Sequence, residues 1–123
     1  MPFVCIELSN KASRDALSHL RESIRTAIGE HLATKDHKYD FVMIHEGSVS
    51  AEDAMVGLTV DLRPGRTDHQ KQAFVDASYN AIRQWLGIKP ENVYAVFREV
   101  VAANHFCGAK PISAYVPPEE RNI

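Results

Sequence analysis

The chain has 123 residues and a mass of 13.8 kDa, with 45% hydrophobic and 24% charged residues. These are the proportions of one ordinary globular domain, and they exclude intrinsic disorder and fibrous repeats. Fourteen Lys and Arg against 16 Asp and Glu leave a net charge of −2 with no basic stripe, so no nucleic-acid partner is expected.

The opening Met1 to Leu8 lacks the basic n-region of a signal peptide, and Pro2 to Leu8 reads as a strand. Cys5 in this run and Cys107 near the end are the chain's two cysteines. They make neither a disulfide framework nor a four-ligand zinc set, and a reducing cytoplasm is the expected location. After a polar loop, Ser13 caps a helix predicted to run to about Ala33, with Leu17, Leu20, Ile24, Ala27, Ile28 and Leu32 on one face. Tyr39 to Ile44 is a second strand, and Gly47 to Asp53 a linker. Met55 to Leu62 is a third strand, and Arg63-Pro64-Gly65-Arg66 a turn. Thr67 and Gln70 have capping-box spacing before a helix that reaches about Leu86, where Gly87 and Pro90 stop it. Val93 to Phe97 closes the pattern, and the Gly- and Pro-containing arm from Ala102 reads as a short hairpin or extended segment. No apolar run approaches the ~20 residues of a membrane span, so no membrane partner is expected.

The two halves superpose without a gap at an offset of 54 residues, Leu8 on Leu62 (62 − 8), Ser13 on Thr67 and Val42 on Val96. Pseudo-repeats of about 2–46 and 56–100, with an arm over 102–123, make one domain. The expected fold class is α/β (α+β): a duplicated βαβ unit, one four-stranded mixed sheet and two helices on one face.

Four places can hold chemistry. Pro2 becomes a free secondary amine once Met1 is removed, and an amine near cations titrates low enough to act as a base at neutral pH. A proline there also simply suits an extended start. Arg63 and Arg66 flank a turn beside a helix N-terminus, an arrangement that suits a carboxylate; two solvated arginines would have the same spacing. The six histidines show no i, i+4 helical zinc pair, and no metal is expected. Asn104 to Gly108 places Phe106 on a loop, as a pocket wall or a surface turn. No phosphate-cradling glycine motif and no Gly-x-Ser-x-Gly elbow occurs.

Pro2 opening a strand, the doubled βαβ and the segment Leu62 to Lys71 together resemble the tautomerase superfamily. Gly65-Arg66-Thr67-Asp68-His69-Gln70-Lys71, within Leu62 to Lys71, is similar to the Gly-Arg-(Ser/Thr)-x-x-Gln-Lys segment of 4-oxalocrotonate tautomerase subunits. Arg63 to Arg66 resembles the Arg-x-Gly-Arg turn of cis-3-chloroacrylic acid dehalogenase. The length and opening also resemble 5-carboxymethyl-2-hydroxymuconate isomerase. The resemblance implies Pro2 as general base and acid, and Arg63 and Arg66 as catalytic and carboxylate-binding groups. It implies Phe106 as the pocket aromatic, a homotrimer, no cofactor, a small carboxylic acid substrate and a place in aromatic degradation. His37, with Asp36 beside it, falls near the decarboxylase aspartate of the superfamily and is taken as a substrate contact. Ala12 stands in the first half where Arg66 stands in the second. Closing-strand arginine positions hold Phe41 or Tyr94, and Val96 falls near the dehalogenase tyrosine. The expected reaction is keto–enol tautomerisation of a 2-oxo or 2-hydroxydienoate acid. The alternatives are a dehalogenase, hydratase or decarboxylase with protonated Pro2, using Asp36, His37 or His31 on water, and a non-catalytic trimeric binding protein.

Overall fold

The computed structural model describes residues 2–34, 41–47 and 54–121. Met1, the first two residues of the second predicted strand, and most of the linker lie outside them, as do Asp36 and His37.

In chain order the elements are β1 (Phe3–Leu8), α1 (Arg14–His31), β2 (Phe41–Glu46), β3 (Val56–Leu62), α2 (Asp68–Leu86) and β4 (Val93–Glu99). A two-stranded hairpin, β5 (Phe106–Cys107) and β6 (Lys110–Pro111), follows. The four long strands form one sheet in the order β2-β1-β3-β4. β1 runs parallel to β2 and antiparallel to β3, and β3 runs parallel to β4. Each half is therefore a βαβ unit, and the halves meet along the antiparallel β1–β3 seam.

The caps explain where the helices start. Ser13 accepts from the Ala16 N–H, and Thr67 accepts from the Gln70 N–H while the Gln70 side chain accepts from the Thr67 N–H. Both caps satisfy amides that the helix cannot pair internally. Gly87 ends α2 at φ 68°, a left-handed conformation that costs glycine little. α1 stops at His31, two residues before the sequence-based limit, and Leu32 is its C-cap.

Alternation along the strands buries Val4, Ile6 and Leu8 of β1 and Val56, Leu58, Val60 and Leu62 of β3. Against them lie Leu20, Ile24 and Ile28 of α1 and Phe74, Ala81 and Ile82 of α2, all in one core on one side of the sheet. Ser78 is buried among them and donates its hydroxyl to the Phe74 carbonyl at 2.8 Å. Between the helices, the Trp85 indole N–H donates to Ser23 Oγ, and His19 stacks on the Trp85 ring at 4.2 Å.

Among the described residues, no helix covers the other face of the sheet. Phe41, Met43 and Tyr94 are 48%, 41% and 69% exposed there. Phe3 stacks on Phe41, and Arg98 makes a bidentate pair with Asp61 at 2.7 and 2.8 Å.

Candidate active site

The β1–β3 antiparallel pairing brings the start of β1 and the end of β3 to the same edge. The register pairs Phe3 with Asp61; one residue further it sets Pro2 opposite Leu62, the residue before Arg63. Pro2 is buried, and its carbonyl accepts from the Phe41 N–H at 3.4 Å. The C-terminus of α1 and the N-terminus of α2 end at this edge too.

A cavity of about 420 Å³ opens here, with Arg63, Arg66, Arg121, Tyr115, Ala33 and Glu120 among its lining residues. That is within the range of small-molecule sites. Arg66 is 5% exposed. Its Nε donates to the Leu32 carbonyl at 2.9 Å and its Nη1 to the Arg63 carbonyl at 3.4 Å, so it closes the end of α1 from the opposite half of the chain. The Tyr115 ring lies over its guanidinium at 3.7 Å. Tyr115 fits because residue 65 is glycine: a Cβ there would stand 2.7 Å from Tyr115 Cδ2, at φ 128°. Arg121 donates to the Ala33 and Val116 carbonyls at 2.7 and 2.9 Å, fastening the arm across the α1 end. Arg63 Nη1 donates to the Ser113 carbonyl.

Three guanidiniums and one carboxylate, Glu120, make this cavity electropositive. Burial, with the like charge of Arg121, pushes Arg63 below the ordinary arginine range, against a smaller opposing effect of Tyr115. Arg63 Nε and Tyr115 Oη are buried without a hydrogen-bond partner, as are Thr34 Oγ1 and His105 Nδ1 nearby in the chain and fold. Buried donors of this kind favour an oxyanion. Burial also pushes His105 below its ordinary range; the positive charge of Arg63 adds to this and Asp61 opposes it.

The related position of the first half is different. At the other end of the sheet, Ala12 stands 54 residues before Arg66, beside Leu86 and Ile88, and the cavity there is about 150 Å³. The Ala12 N–H is taken by Glu46 Oε2 at 2.8 Å. The two βαβ halves thus share their architecture, while the Arg63 and Arg66 pair belongs to the second alone.

Arg63 and Arg66 are brought together as expected, but Arg66 is a buried helix-closing group as well as a cavity wall. Phe106 does not join them: it is 55% exposed on β5 and lines none of this cavity within the single chain. Pro2 shares the edge without lining the cavity. His37 lies outside the described residues. The sequence reading missed Tyr115 and Arg121, because the only signal for them is an arm that folds back over a distant turn.

Residues 58–115 match the family described as tautomerase enzyme. A search among curated proteins returns no match. Among solved structures, a protein described as Pt0534 inactivated by 2-oxo-3-pentynoate superposes with a TM-score of 0.80 at 21% identity, covering 89% of this chain and 95% of that one. A fused 4-OT described as a symmetric trimer gives 0.79 at 20% identity, covering 91% and 95%. Macrophage migration inhibitory factor of Toxoplasma gondii gives 0.78 at 17%, covering 89% and 98%. The fold is that of these structures, and the tautomerase match covers residues 58–115, from within β3 through most of the arm.

Proposed function

We propose that this chain is a tautomerase acting on a small 2-oxo or 2-hydroxydienoate carboxylic acid, with Pro2 as the proton-transfer group and no cofactor. The observation that supports it most is the electropositive cavity holding Arg63 and Arg66 at the edge where Pro2 leads into β1. With Met1 removed, the neutral Pro2 amine takes a proton from the substrate. The electron pair moves along the 2-oxo system to form a dienolate, which the arginines hold through its carboxylate and enolate oxygens. The protonated amine then returns the proton to a different carbon, so the sum is an isomerisation and the amine is regenerated. The same positive charges favour the neutral amine.

A homotrimer is part of this reading. The helix-free sheet face with Phe41, Met43 and Tyr94 offers apolar surface for neighbouring copies, and the superposed fused 4-OT is described as a trimer. Phe106, exposed in one chain, would then be available to a neighbour's site.

The hydratase or decarboxylase alternative needs a group to activate water. Among the described residues His105 best suits it, since burial favours its neutral form and its Nδ1 has no partner. His31 instead faces Glu30 at 3.7 Å.

The test is an intact mass, an NMR titration of the Pro2 amine, and treatment with 2-oxo-3-pentynoate, the compound named for the inactivated relative. Expected are a chain lacking Met1, an amine largely neutral at pH 7, one covalent adduct on Pro2, and a loss of about 10²-fold or more in kcat for Pro2→Ala. An amine titrating well above neutrality would move the assignment to hydration or decarboxylation. A retained Met1, or full activity in Pro2→Ala, would sink the proline mechanism.

A further inference from the structure

We propose that Cys5, Glu7 and His45 form a three-ligand site for a zinc-like divalent cation on the helix-free face of the sheet. Cys5 and Glu7 are two residues apart on β1 and so point to the same face. The parallel register sets His45 of β2 directly opposite Glu7. Cys5 Sγ is 3.5 Å from Glu7 Oε1, and His45 Nδ1 is 2.9 Å from the same oxygen. The three donor atoms all lie within 4.8 Å of one another.

Tetrahedral zinc bonds of about 2.3 Å to sulfur and 2.0–2.2 Å to nitrogen and oxygen require donor separations of roughly 3.4–3.6 Å. The Cys5–Glu7 spacing already fits. The His45–Glu7 pair has to open by about half an ångström, which rotation of two part-exposed side chains provides. Thiolate, imidazole and carboxylate are a zinc or cobalt set, whereas calcium and magnesium take oxygens. The thiolate and carboxylate bring two negative charges, matching a dication. The nearby Asp61 and Arg98 already neutralise each other. All three ligands stand on paired strands, so little backbone ordering accompanies binding. The fourth position lies on the helix-free face, which the trimer reading gives to neighbouring copies, so water or a neighbour's donor completes the shell.

Without a cation, Glu7 accepts from the Cys5 thiol and pairs with His45. Burial, and then the bond to Glu7, push the thiol above its ordinary range, so it is protonated at neutral pH. Cation entry releases that proton to solvent and leaves His45 as its Nε2–H tautomer, with Nδ1 as ligand. Cys5, Glu7 and His45 lie toward the end of the strands away from Arg63, so this site is independent of the proton-transfer reading.

The experiment is titration of the full-length protein with Co²⁺, followed by Zn²⁺ competition. Expected are a thiolate-to-cobalt charge-transfer absorption at one equivalent per chain, displaced by Zn²⁺, and release of one proton. Cys5→Ser should abolish the absorption, while His45→Gln and Glu7→Gln should each weaken binding about tenfold or more. Cys107→Ser, altering the other, exposed thiol, should leave it unchanged. A second reading in the unmutated protein is a shift of the His45 ring resonances on adding Zn²⁺, assigned through His45→Gln. Absence of the cobalt–thiolate absorption, its loss in Cys107→Ser, or unmoved His45 resonances would overturn the site.

Discussion

Arg66 has two roles that a solvated turn arginine would not have. Its Nε holds the last carbonyl of α1 while its guanidinium face carries Tyr115. Replacing it therefore removes a charge-assisted bond to a buried carbonyl and the support of the arm together. Arg66→Ala is expected to lower unfolding free energy in urea by about 1.5–3 kcal/mol. A loss within ~0.5 kcal/mol, the usual range for a surface change, would show that the α1 end does not depend on it. Any activity measured on this variant has to be corrected for that loss before a binding role is assigned. Pro2 is a simpler case, since Pro2→Ala keeps the backbone carbonyl that accepts from the Phe41 N–H, and the comparison reads the proposed chemistry more directly.

The elements repeat at the scale of the duplication, and their caps repeat with them. Ser13 and Thr67, 54 residues apart, both accept from the amide three residues on. The second cap is reciprocal, because Gln70 reaches back to the Thr67 N–H, and the first has no such partner bond among those described. Thr67→Ala, which removes the acceptor of the Gln70 N–H, is expected to cost about 1 kcal/mol by chemical denaturation, and Gln70→Ala, which removes the acceptor of the Thr67 N–H, is expected to cost less but measurably. Unchanged stability in Gln70→Ala would mean that the reciprocal bond adds nothing in the folded protein. Much of this level was legible beforehand: the caps, the Gly87 stop and the apolar stripes are local signals, and each element formed within a few residues of its expected limits. The departures were at ends. α1 stops two residues early where Arg66 takes over its terminal carbonyl, and β4 continues to Glu99, paired along β3 to Leu62.

At the scale of the whole molecule, one edge of the sheet collects the positive charge, and His105 shares that environment. Its folded-state pKa is pushed down, chiefly by burial and further by Arg63, so the unfolded chain binds its proton first as pH falls. Its stabilising contribution is full above the ordinary histidine value of 6.5 and is lost as pH falls through the lowered folded value. Stability measured between pH 7 and pH 5 should decline, and His105→Gln should flatten that decline; an unchanged slope would mean that His105 titrates alike in both states. The helix-free face sets the second prediction at this scale. The proposed trimer should show about three times the 13.8 kDa chain mass by light scattering. Tyr94→Glu, which puts a charge on the exposed apolar face, should shift it toward the monomer with α2 and the core intact by circular dichroism. A wild-type monomer at micromolar concentration would remove assembly from the functional reading.

Periodicity, capping residues and the 54-residue repeat determined the elements, their order and the class of fold, because those signals act over a few residues and need no partner far away. The adjacency of Arg63 and Arg66 was equally local, and so was visible on one turn. Tertiary structure decided the rest. It set Arg66 under the end of α1, 34 residues distant, brought Tyr115 and Arg121 back over the Gly65 turn, left Phe106 on the surface, and aligned His45 with Glu7 and Cys5. Those are contacts between groups far apart in sequence. They are governed by strand register and by which buried carbonyls and rings need a partner, and neither is written in the spacing of residues along the chain.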